Sequence, residues 1–223
     1  CNKADPASYA IWKDGQWTTR QELMERDGRV WHEGKWRLPQ EIALLEDQKK
    51  LDAKEKEWVN KIQQWRQWLA TDKARYARES ILAIEDPLAV RGLKGGLIAS
   101  KSREDRVVFV RALARIGNPD ANEALAACSL VDPDEEVRLT CLDYLKKKKD
   151  PRVVDFYVGR LKDSSNAIVN RAGRALKEMG DPSAIGPLIE SLVTVHKCRV
   201  SGGGGSGKTN ATFSSGGGIG LSM

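Results

Sequence analysis

Four Asx-Pro dipeptides recur at nearly constant spacing between residues 86 and 182. Their prolines stand at positions 87, 119, 151 and 182, which gives intervals of 32, 32 and 31 residues. Proline lacks an amide donor and disfavours helix in the residue before it, so each dipeptide separates two helices. Units of this length, each with two short helices, stack into solenoids. The spacing therefore predicts a mainly α fold, an α-solenoid of about four helix pairs.

The apolar residues keep the same register around every proline. The tenth and sixth residues before it are four apart, which places both on one helix face. The sixth residue after it would lie on the second helix of the pair. We expect these positions to form the core: Ala77, Ile81 and Leu93; Phe109, Leu113 and Leu125; Cys141, Leu145 and Tyr157; and Ala172, Leu176 and Leu188. The expected units are 71–101, 102–131, 132–163 and 164–195.

A different repeat precedes the helix pairs. The segments WKDGQWTTRQEL (12–23) and WHEGKWRLPQEI (31–42) align without a gap at an offset of 19 residues. Each contains an acidic residue followed by glycine, Asp14-Gly15 or Glu33-Gly34, which favours a two-residue hairpin turn. Such a turn fixes the strand register and places two pairs of tryptophans directly opposite each other: Trp12 with Trp17, and Trp31 with Trp36.

Each hairpin leads into a helix start. Thr19 and Glu22 form a capping-box pattern, and Pro39 suits the first position of a helix with Glu41 in its first turn. We predict a long helix from about Pro39 to Ala70. One face of it carries the apolar residues Leu44, Leu51, Trp58 and Trp65, with Ile62 and Leu69 near its end. At ~1.5 Å per residue this helix is about 45 Å long, so we expect its amino-terminal half to project from the body or to rest on another molecule.

These patterns divide the chain into four expected regions. They are a tandem Trp-hairpin region (1–38), the long amphipathic helix (39–70), the helical repeats (71–200) and a Gly/Ser-rich flexible tail or linker (201–223). No apolar run reaches the ~20 residues that a transmembrane helix needs. The net charge of +6 is spread along the chain and does not indicate a polyanionic partner.

The four cysteines show no CxxC or Cys/His spacing, so the sequence predicts neither a zinc module nor a redox motif. Cys128 and Cys141 lie in apolar helical runs, where we expect buried free thiols. The chain begins with Cys1 and not with methionine, and we therefore expect a fragment or a processed form. A mature bacterial lipoprotein also starts with cysteine, which leaves localisation open between cytoplasm and export.

Residues 202–209, GGGGSGKT, satisfy the phosphate-loop pattern. A functional loop of this kind joins a strand to a helix whose amino terminus faces the phosphates. The residues that follow contain no plausible helix, so we expect no nucleotide binding. The two histidines, His32 and His196, have no nucleophile or carboxylate pair near them. The sequence therefore predicts no catalytic residue, metal ligand or cofactor.

The run Lys146–Lys149 is the most concentrated positive charge. We interpret it as a solvated helix end, because lysines there meet the carbonyl dipoles. Contact with phosphate or nucleic acid is the alternative. The residues four positions after each proline argue against that alternative, because they do not form a basic stripe. They are Arg91, Glu123, Asp155 and Gly186.

Two sets of residues are candidates for binding a partner. Arg91, Glu123 and Asp155 recur at one offset on the second helices, which line the concave side of such solenoids, and should reach one surface. The other set is the four hairpin tryptophans. Cross-strand aromatic pairs stabilise an isolated hairpin, and recognition of a peptide or a sugar is the alternative role. This second set comprises Trp12, Trp17, Trp31 and Trp36.

Three runs resemble HEAT repeats of the short type first noticed in phycobilin lyases: VVFVRALARIGNPDANEALAA, EEVRLTCLDYL and IVNRAGRALKEMGDPSAIGPLIESL. Arg111, Arg138 and Arg171 stand near the arginine of the family's helix, and Gly117 and Gly180 match its glycine before the turn. The third unit departs from the pattern, since the pair Lys148-Lys149 replaces the usual apolar residue and glycine.

The whole arrangement is similar to uncharacterised bacterial HEAT-repeat proteins with amino-terminal W-x-[DE]-G-x-W segments, in which a further domain follows the glycine-rich part. The resemblance implies a non-enzymatic scaffold that mediates protein-protein interaction, with partners it does not identify. One alternative is a phycobilin-lyase-like activity, suggested by the repeat type. Another is binding of nucleic acid or a polyanion through Lys146–Lys149, which we do not expect.

Overall fold

The computed structural model describes residues 10–13, 15–192, 210–213 and 219–222. Contacts between residues divide the chain into two units that meet at residues 61 and 62. The first unit contains two β-hairpins and the second contains the helix pairs. One long helix contributes residues to both.

Two hairpin-helix modules follow each other in the first unit. They consist of β1 (Ala10–Lys13), β2 (Gln16–Thr19) and α1 (Arg20–Arg26), then β3 (Val30–His32), β4 (Lys35–Arg37) and α2 (Pro39–Trp68). Each strand pair is antiparallel and joins at a glycine of positive φ, +81° at Gly15 and +80° at Gly34. The observed register confirms the predicted tryptophan pairs, Trp12 with Trp17 and Trp31 with Trp36.

The predicted helix starts are confirmed. The Thr19 hydroxyl accepts a hydrogen bond from the Glu22 amide, and the Glu22 carboxylate accepts one from the Thr19 amide at 2.8 Å. These bonds with Thr19 lower the pKa of Glu22. At the second start the Leu38 amide donates to the Glu41 carboxylate at 3.1 Å. Helix α2 then continues to Trp68, two residues short of the predicted end.

The apolar face of α2 changes its surroundings along the helix. Leu44 and Leu51 are 72% and 46% exposed, whereas Ile62 and Leu69 are buried. The seven-residue spacing places these residues on one face of α2. Only the carboxy-terminal end of that face is buried in the core of the second unit.

Eight further helices form the four predicted helix pairs in the described part of the second unit. The pairs are α3 (Ala74–Leu82) with α4 (Val90–Ala99), α5 (Arg103–Ile116) with α6 (Pro119–Val131), α7 (Glu135–Lys148) with α8 (Pro151–Arg160), and α9 (Asn166–Met179) with α10 (Ile185–Ser191). The first helices α3, α5, α7 and α9 pack on one another in sequence. The second helices α4, α6 and α8 do the same, so the pairs stack as an α-solenoid.

The core lies between these two rows of helices. All eight predicted positions before the prolines are at most 1% exposed, from Ala77 to Leu176. After the prolines, Leu93, Leu125 and Tyr157 are buried as predicted. Leu188 is only half-buried, because it belongs to the last described pair and borders a groove between α9 and α10.

The Asx-Pro dipeptides also cap the start of each second helix, directly at α6 and α8 and through a short 3-10 turn before α4 (Pro87–Ala89) and α10 (Pro182–Ala184). In each, the side-chain oxygen of the Asx residue accepts a backbone amide bond two or three residues later, and proline takes a first helical position. The capping residues are Asp86, Asn118, Asp150 and Asp181. Caps and prolines therefore act together in starting the second helices.

The carboxy-terminal ends of α5, α7 and α9 show why glycine is favoured before the turn. They also show what replaces glycine in the third unit. Gly117 and Gly180 end α5 and α9 in the left-handed conformation, with φ of +58° and +65°. Lys149 ends α7 in the same conformation, with φ of +49°. The third unit therefore keeps the same turn without glycine. A residue other than glycine in this conformation costs about 1–2 kcal/mol.

Two neighbouring glycines in α4 should respond in opposite ways to alanine. A β-carbon at Gly96 would lie 2.5 Å from the Phe109 ring, whereas one at Gly95 would meet nothing within 4 Å. We expect Gly96→Ala to destabilise the protein by about 1–3 kcal/mol through overpacking, partly offset by the better helix propensity of alanine. We expect Gly95→Ala to stabilise it by roughly 0.5–1 kcal/mol. Urea unfolding of both variants measures the difference, and equal effects would contradict the packing of α4 on α5.

The glycine-rich carboxy-terminal region contains a strand pair that the sequence analysis did not predict. β5 (Asn210–Phe213) pairs antiparallel with β6 (Ile219–Ser222), with Phe213 opposite Ile219. Apolar and β-branched residues on both sides of a Ser/Gly-rich connection favour such a hairpin. The phosphate-loop pattern at 202–209 and the remaining residues of the expected flexible tail lie outside the described residues.

Candidate partner-binding surfaces

The three charged residues predicted to form one row lie on successive second helices. Arg91 is on α4, Glu123 on α6 and Asp155 on α8, and all three are exposed. Because α4 packs on α6 and α6 on α8, the row follows the direction of stacking. Its contact with a partner stays a prediction.

A groove runs between α6 and α8 beside this row, with a cavity volume of about 230 Å³. Its lining residues are Pro119, Asp120, Glu123, Asp150, Arg152, Val153 and Phe156. We call it the α6–α8 groove. It combines three carboxylates with a proline, a valine and an aromatic ring, so it offers both charge and apolar surface.

Asp150 is held in place at the edge of this groove. Its Oδ1 accepts the Arg152 amide at 3.0 Å, and its Oδ2 accepts the Asn122 side-chain amide at 3.0 Å. Asn122 is only 5% exposed, and its Oδ1 has no hydrogen-bond partner among the described residues. The Asn122 side chain therefore gains a hydrogen bond from its Nδ2 to Asp150, while its Oδ1 stays without a donor. A buried acceptor without a donor costs free energy.

The tryptophan pairs form exposed edge-to-face contacts. The rings of Trp12 and Trp17 are 5.2 Å apart at 63°, and those of Trp31 and Trp36 are 5.4 Å apart at 64°. Trp17 is 70% exposed and Trp31 53%. This geometry stabilises each hairpin, as expected for cross-strand aromatic pairs. It leaves much of the Trp12, Trp17 and Trp31 rings open to solvent, whereas Trp36 is half-buried.

His32 lies beside the second hairpin turn. Its Nε2 is buried, has no hydrogen-bond partner among the described residues and lies 3.9 Å from the Glu33 carboxylate. Glu33 is instead bound by Lys49 of α2, and this hydrogen bond lowers the pKa of Glu33. Glu33 therefore fastens the hairpin to α2. His196 lies outside the described residues.

The lysine run Lys146–Lys149 closes α7 and is partly neutralised. Lys146 forms an ion pair with Glu178 of α9 at 3.0 Å, and Lys147 lies 5.9 Å from the centre of the Tyr144 ring. Lysines in the last turn face the carbonyl end of the helix dipole. These contacts support the interpretation of the run as a helix end.

The thiols of Cys128 and Cys141 are free and buried, as predicted. A hydrogen bond with Cys128 and burial raise the pKa of Cys141 well above its usual range. Nearby, the hydroxyls of Ser129 and Tyr157 are 2.7 Å apart, and burial raises the pKa of Tyr157. Buried thiols in such apolar surroundings serve packing and not nucleophilic attack.

A cluster of arginines converges on the turn between α6 and α7. Arg106 of α5 and Arg138 of α7 each donate to two backbone carbonyls at the turn preceding their own helix. Asp132 is 6% exposed and forms an ion pair with Arg106 at 3.1 Å. Arg171 of α9 donates to the carbonyl of Leu130. The cluster fixes the ends of neighbouring helices.

Arg106 and Arg111 of α5 differ in their surroundings. Arg111 is exposed, and the residue equivalent to Arg138 is Arg106, since each stands thirteen positions before a proline of the repeat. The RVVFV segment places Arg106 at the turn, whereas Arg111 lies one and a half turns further along α5 on its solvent side.

Among the described side chains, no group of three or more His, Cys, Asp and Glu residues could hold a metal ion. None of the described helices is both long and apolar enough to cross a membrane.

Comparison with known proteins agrees with the repeat geometry. The sequence model of the family HEAT repeats matches residues 90–173 and, in a second overlapping match, residues 129–199. The matches support a HEAT-repeat fold for the described part of this stretch, residues 90–192. These HEAT repeats include α4 to α10, and α3 completes the first pair by packing on α5. The comparison with curated proteins gave no match.

Sequence reasoning did not find the α6–α8 groove. Its lining residues come from the starts of α6 and α8, which belong to neighbouring helix pairs, and the bonded residues Asn122 and Asp150 are 28 residues apart. Only Glu123 was among the candidates. The only sequence signal was the recurrence of charged residues four positions after each proline. That recurrence identifies exposed positions on the second helices, but it does not identify the grooves between those helices.

Proposed function

We propose that this chain is a HEAT-repeat scaffold that binds other proteins and catalyses no reaction. The observation that carries the proposal is the exposed, charged row on α4, α6 and α8, which lies on a stack of helix pairs with a buried core. HEAT repeats commonly present such surfaces to protein partners. Mixed signs along the row suit a partner of patterned charge, because complementary charges set register and specificity.

A charge-reversal experiment tests this function. The double variant Arg91→Glu, Asp155→Lys reverses two charges of the row without changing the net charge. We expect it to lose partners that the wild type captures from a native lysate, identified by mass spectrometry. The matched control is Arg111→Glu, Asp143→Lys, which makes the same exchange at exposed positions on the first helices.

The control should retain the wild-type partners. Identical partners for all three proteins would remove the row from consideration and direct attention to the tryptophan hairpins and α2. Partners lost equally from both variants would indicate a general charge effect.

The phycobilin-lyase resemblance supplies the alternative from the enzyme class. It rests on the repeat type, and a bilin adduct or a spectral shift on mixing with the pigment would support it. The proposed likeness to bacterial HEAT-repeat proteins with W-x-[DE]-G-x-W segments rests on the two hairpins, whose exposed rings offer a second contact surface.

A further inference from the structure

We propose that the groove between α9 and α10 binds an amphipathic helix of a partner protein, which packs on α10 as the first helix of a further pair would. This inference rests on the proposed scaffold function and gives it a second surface, which is apolar where the row is charged. Its evidence is a comparison of equivalent positions in the four helix pairs.

Two positions of the second helices are buried wherever another helix pair follows. Helices α4, α6 and α8 each pack on the first helix of the next pair. In these three pairs the third residue after the proline is 5–7% exposed and the tenth is 3–7% exposed. The residues are Val90, Asn122 and Val154 at the third position, and Leu97, Ser129 and Leu161 at the tenth.

The fourth pair differs at the same two positions. Within the described residues no further first helix follows α10, and the equivalent Ile185 and Leu192 are 58% and 80% exposed. Burial at these positions therefore accompanies a following pair. The fourth pair nevertheless carries large apolar side chains at both positions, which favours a surface that another molecule covers.

These side chains belong to one apolar face. Ile185, Leu188, Ile189 and Leu192 stand at i, i+3, i+4 and i+7, the spacing by which helices contact each other in grooves. Ile189 is also 61% exposed. The terminal repeat of a solenoid needs a polar outer face to remain soluble, and this face of α10 is not polar.

The groove between α9 and α10 offers no charge to a ligand. Among the described residues its lining includes two polar side chains, Asn170 and Ser191, and no charged one. The Ser191 hydroxyl already donates to the Leu188 carbonyl at 2.7 Å. The groove therefore suits the apolar face of a helix better than a phosphate, a carboxylate or a basic side chain. Its apolar lining consists of Leu161, Val169, Ile185, Leu188, Ile189 and Leu192.

The interfaces inside the solenoid show what kind of helix fits. The covering helices α5, α7 and α9 each bury two apolar residues that are four positions apart. On α4 the Phe109 ring of α5 packs closely against Gly96. We therefore expect a partner helix with apolar residues four apart on one face and polar residues on the others. The corresponding pairs in this chain are Phe109 and Leu113, Cys141 and Leu145, and Ala172 and Leu176.

The sequence directly after α10 is too short for such a helix. Only residues 193–201 separate Leu192 from the glycine run 202–205, whereas α5, α7 and α9 each have 14 residues. Glycine is a poor helix former, so the run does not extend the available length. We therefore expect the covering helix to come from a partner protein.

Selection of helical peptides with matched variants tests the inference. A phage-displayed library of helical peptides is selected on the full chain, and enriched peptides are synthesised for fluorescence anisotropy titration. We expect apolar residues four apart in the consensus. Binding to Ile185→Ser, Ile189→Ser should be about tenfold weaker, because two apolar contacts are lost. The control Ile98→Ser, Val131→Ser removes two apolar side chains that are 76% and 63% exposed on α4 and α6, and it should bind as the wild type does.

Ionic strength provides an independent readout. Because the lining of the groove is uncharged, the affinity of the peptides should be nearly the same at low and high salt. Contacts with the charged row on α4, α6 and α8 would weaken as salt is added. Circular dichroism melting of each variant establishes that it is folded.

Three results would overturn the inference: peptides without the apolar pair, equal affinity for wild type and Ile185→Ser, Ile189→Ser, or a selection that yields no peptide. Wild-type dimers in sedimentation velocity that Ile185→Ser, Ile189→Ser dissociates would assign the surface to a second copy instead. A photo-crosslink from position 189 to residues 193–223 of the same molecule would assign it to this chain. Both results also exclude the partner helix.

Failure of this assignment is distinguishable from failure of the scaffold function. Capture of partners by the wild type and by Arg91→Glu, Asp155→Lys tests the charged row without involving α10. If that variant loses partners while Ile185→Ser, Ile189→Ser retains every peptide, the scaffold function stands and only the assignment of the groove between α9 and α10 fails.

Discussion

Asp132→Ala is expected to lower the free energy of unfolding by about 3–5 kcal/mol, because it leaves a buried guanidinium without its counter-charge. The Asp132 carboxylate lies 3.1 Å from Nε of Arg106, and the two side chains are 6% and 12% exposed. The same carboxylate also accepts the Asp134 amide at 2.9 Å. Urea unfolding followed by circular dichroism measures the loss.

Glu136→Ala is the matched control for this prediction. Its ion pair with Arg103 is shorter, at 2.8 Å, but the side chains are 64% and 48% exposed. Solvent screens such a pair, so its removal should have a much smaller effect. Similar losses from both substitutions would mean that water reaches the Asp132 pair as well.

Leu145→Ala is expected to destabilise the protein by about 2–5 kcal/mol, because it opens a cavity between packed helices. Leu145 is 1% exposed and stands six residues before Pro151, the position that the repeat register assigns to the core. The control is Leu139→Ala on the same helix, where the side chain is 37% exposed and the expected change is within about half a kcal/mol.

Thermal and urea unfolding of the two leucine variants decide whether the register is right. An unfolding midpoint that Leu145→Ala leaves unchanged would contradict the assignment of the sixth position to the core. A large effect at Leu139 would do the same.

The sequence predicted the helix pairs and the hairpins because both depend on local chemistry. Asx-Pro dipeptides cap and break helices wherever they occur, and an acidic residue before glycine sets the register of a short hairpin. Those signals were sufficient for the tryptophan pairs and for most of the core. They were not sufficient at Leu188, whose burial depends on what packs beyond the last described pair, or for the strands at 210–213 and 219–222.

The candidate sites were less predictable, because they depend on residues that are distant in sequence. The repeat offset correctly indicated that Arg91, Glu123 and Asp155 are exposed on second helices. It could not indicate that Asn122 donates a hydrogen bond to Asp150, or that Phe156 is half-buried in the α6–α8 groove. Arg106 was missed for a similar reason, since its role depends on the backbone carbonyls of the preceding turn.

The bond from Arg171 to Leu130 joins the fourth helix pair to the second and skips the one between them. Helix α9 also packs on α6. In a solenoid whose units touch only adjacent units, stability is a sum of nearest-neighbour terms, and one end can unravel while the rest stays folded. A link of longer range breaks that independence. The segment from α5 to α9 should therefore open as a single cooperative block, with its amides exchanging at a common rate, while α10 exchanges faster.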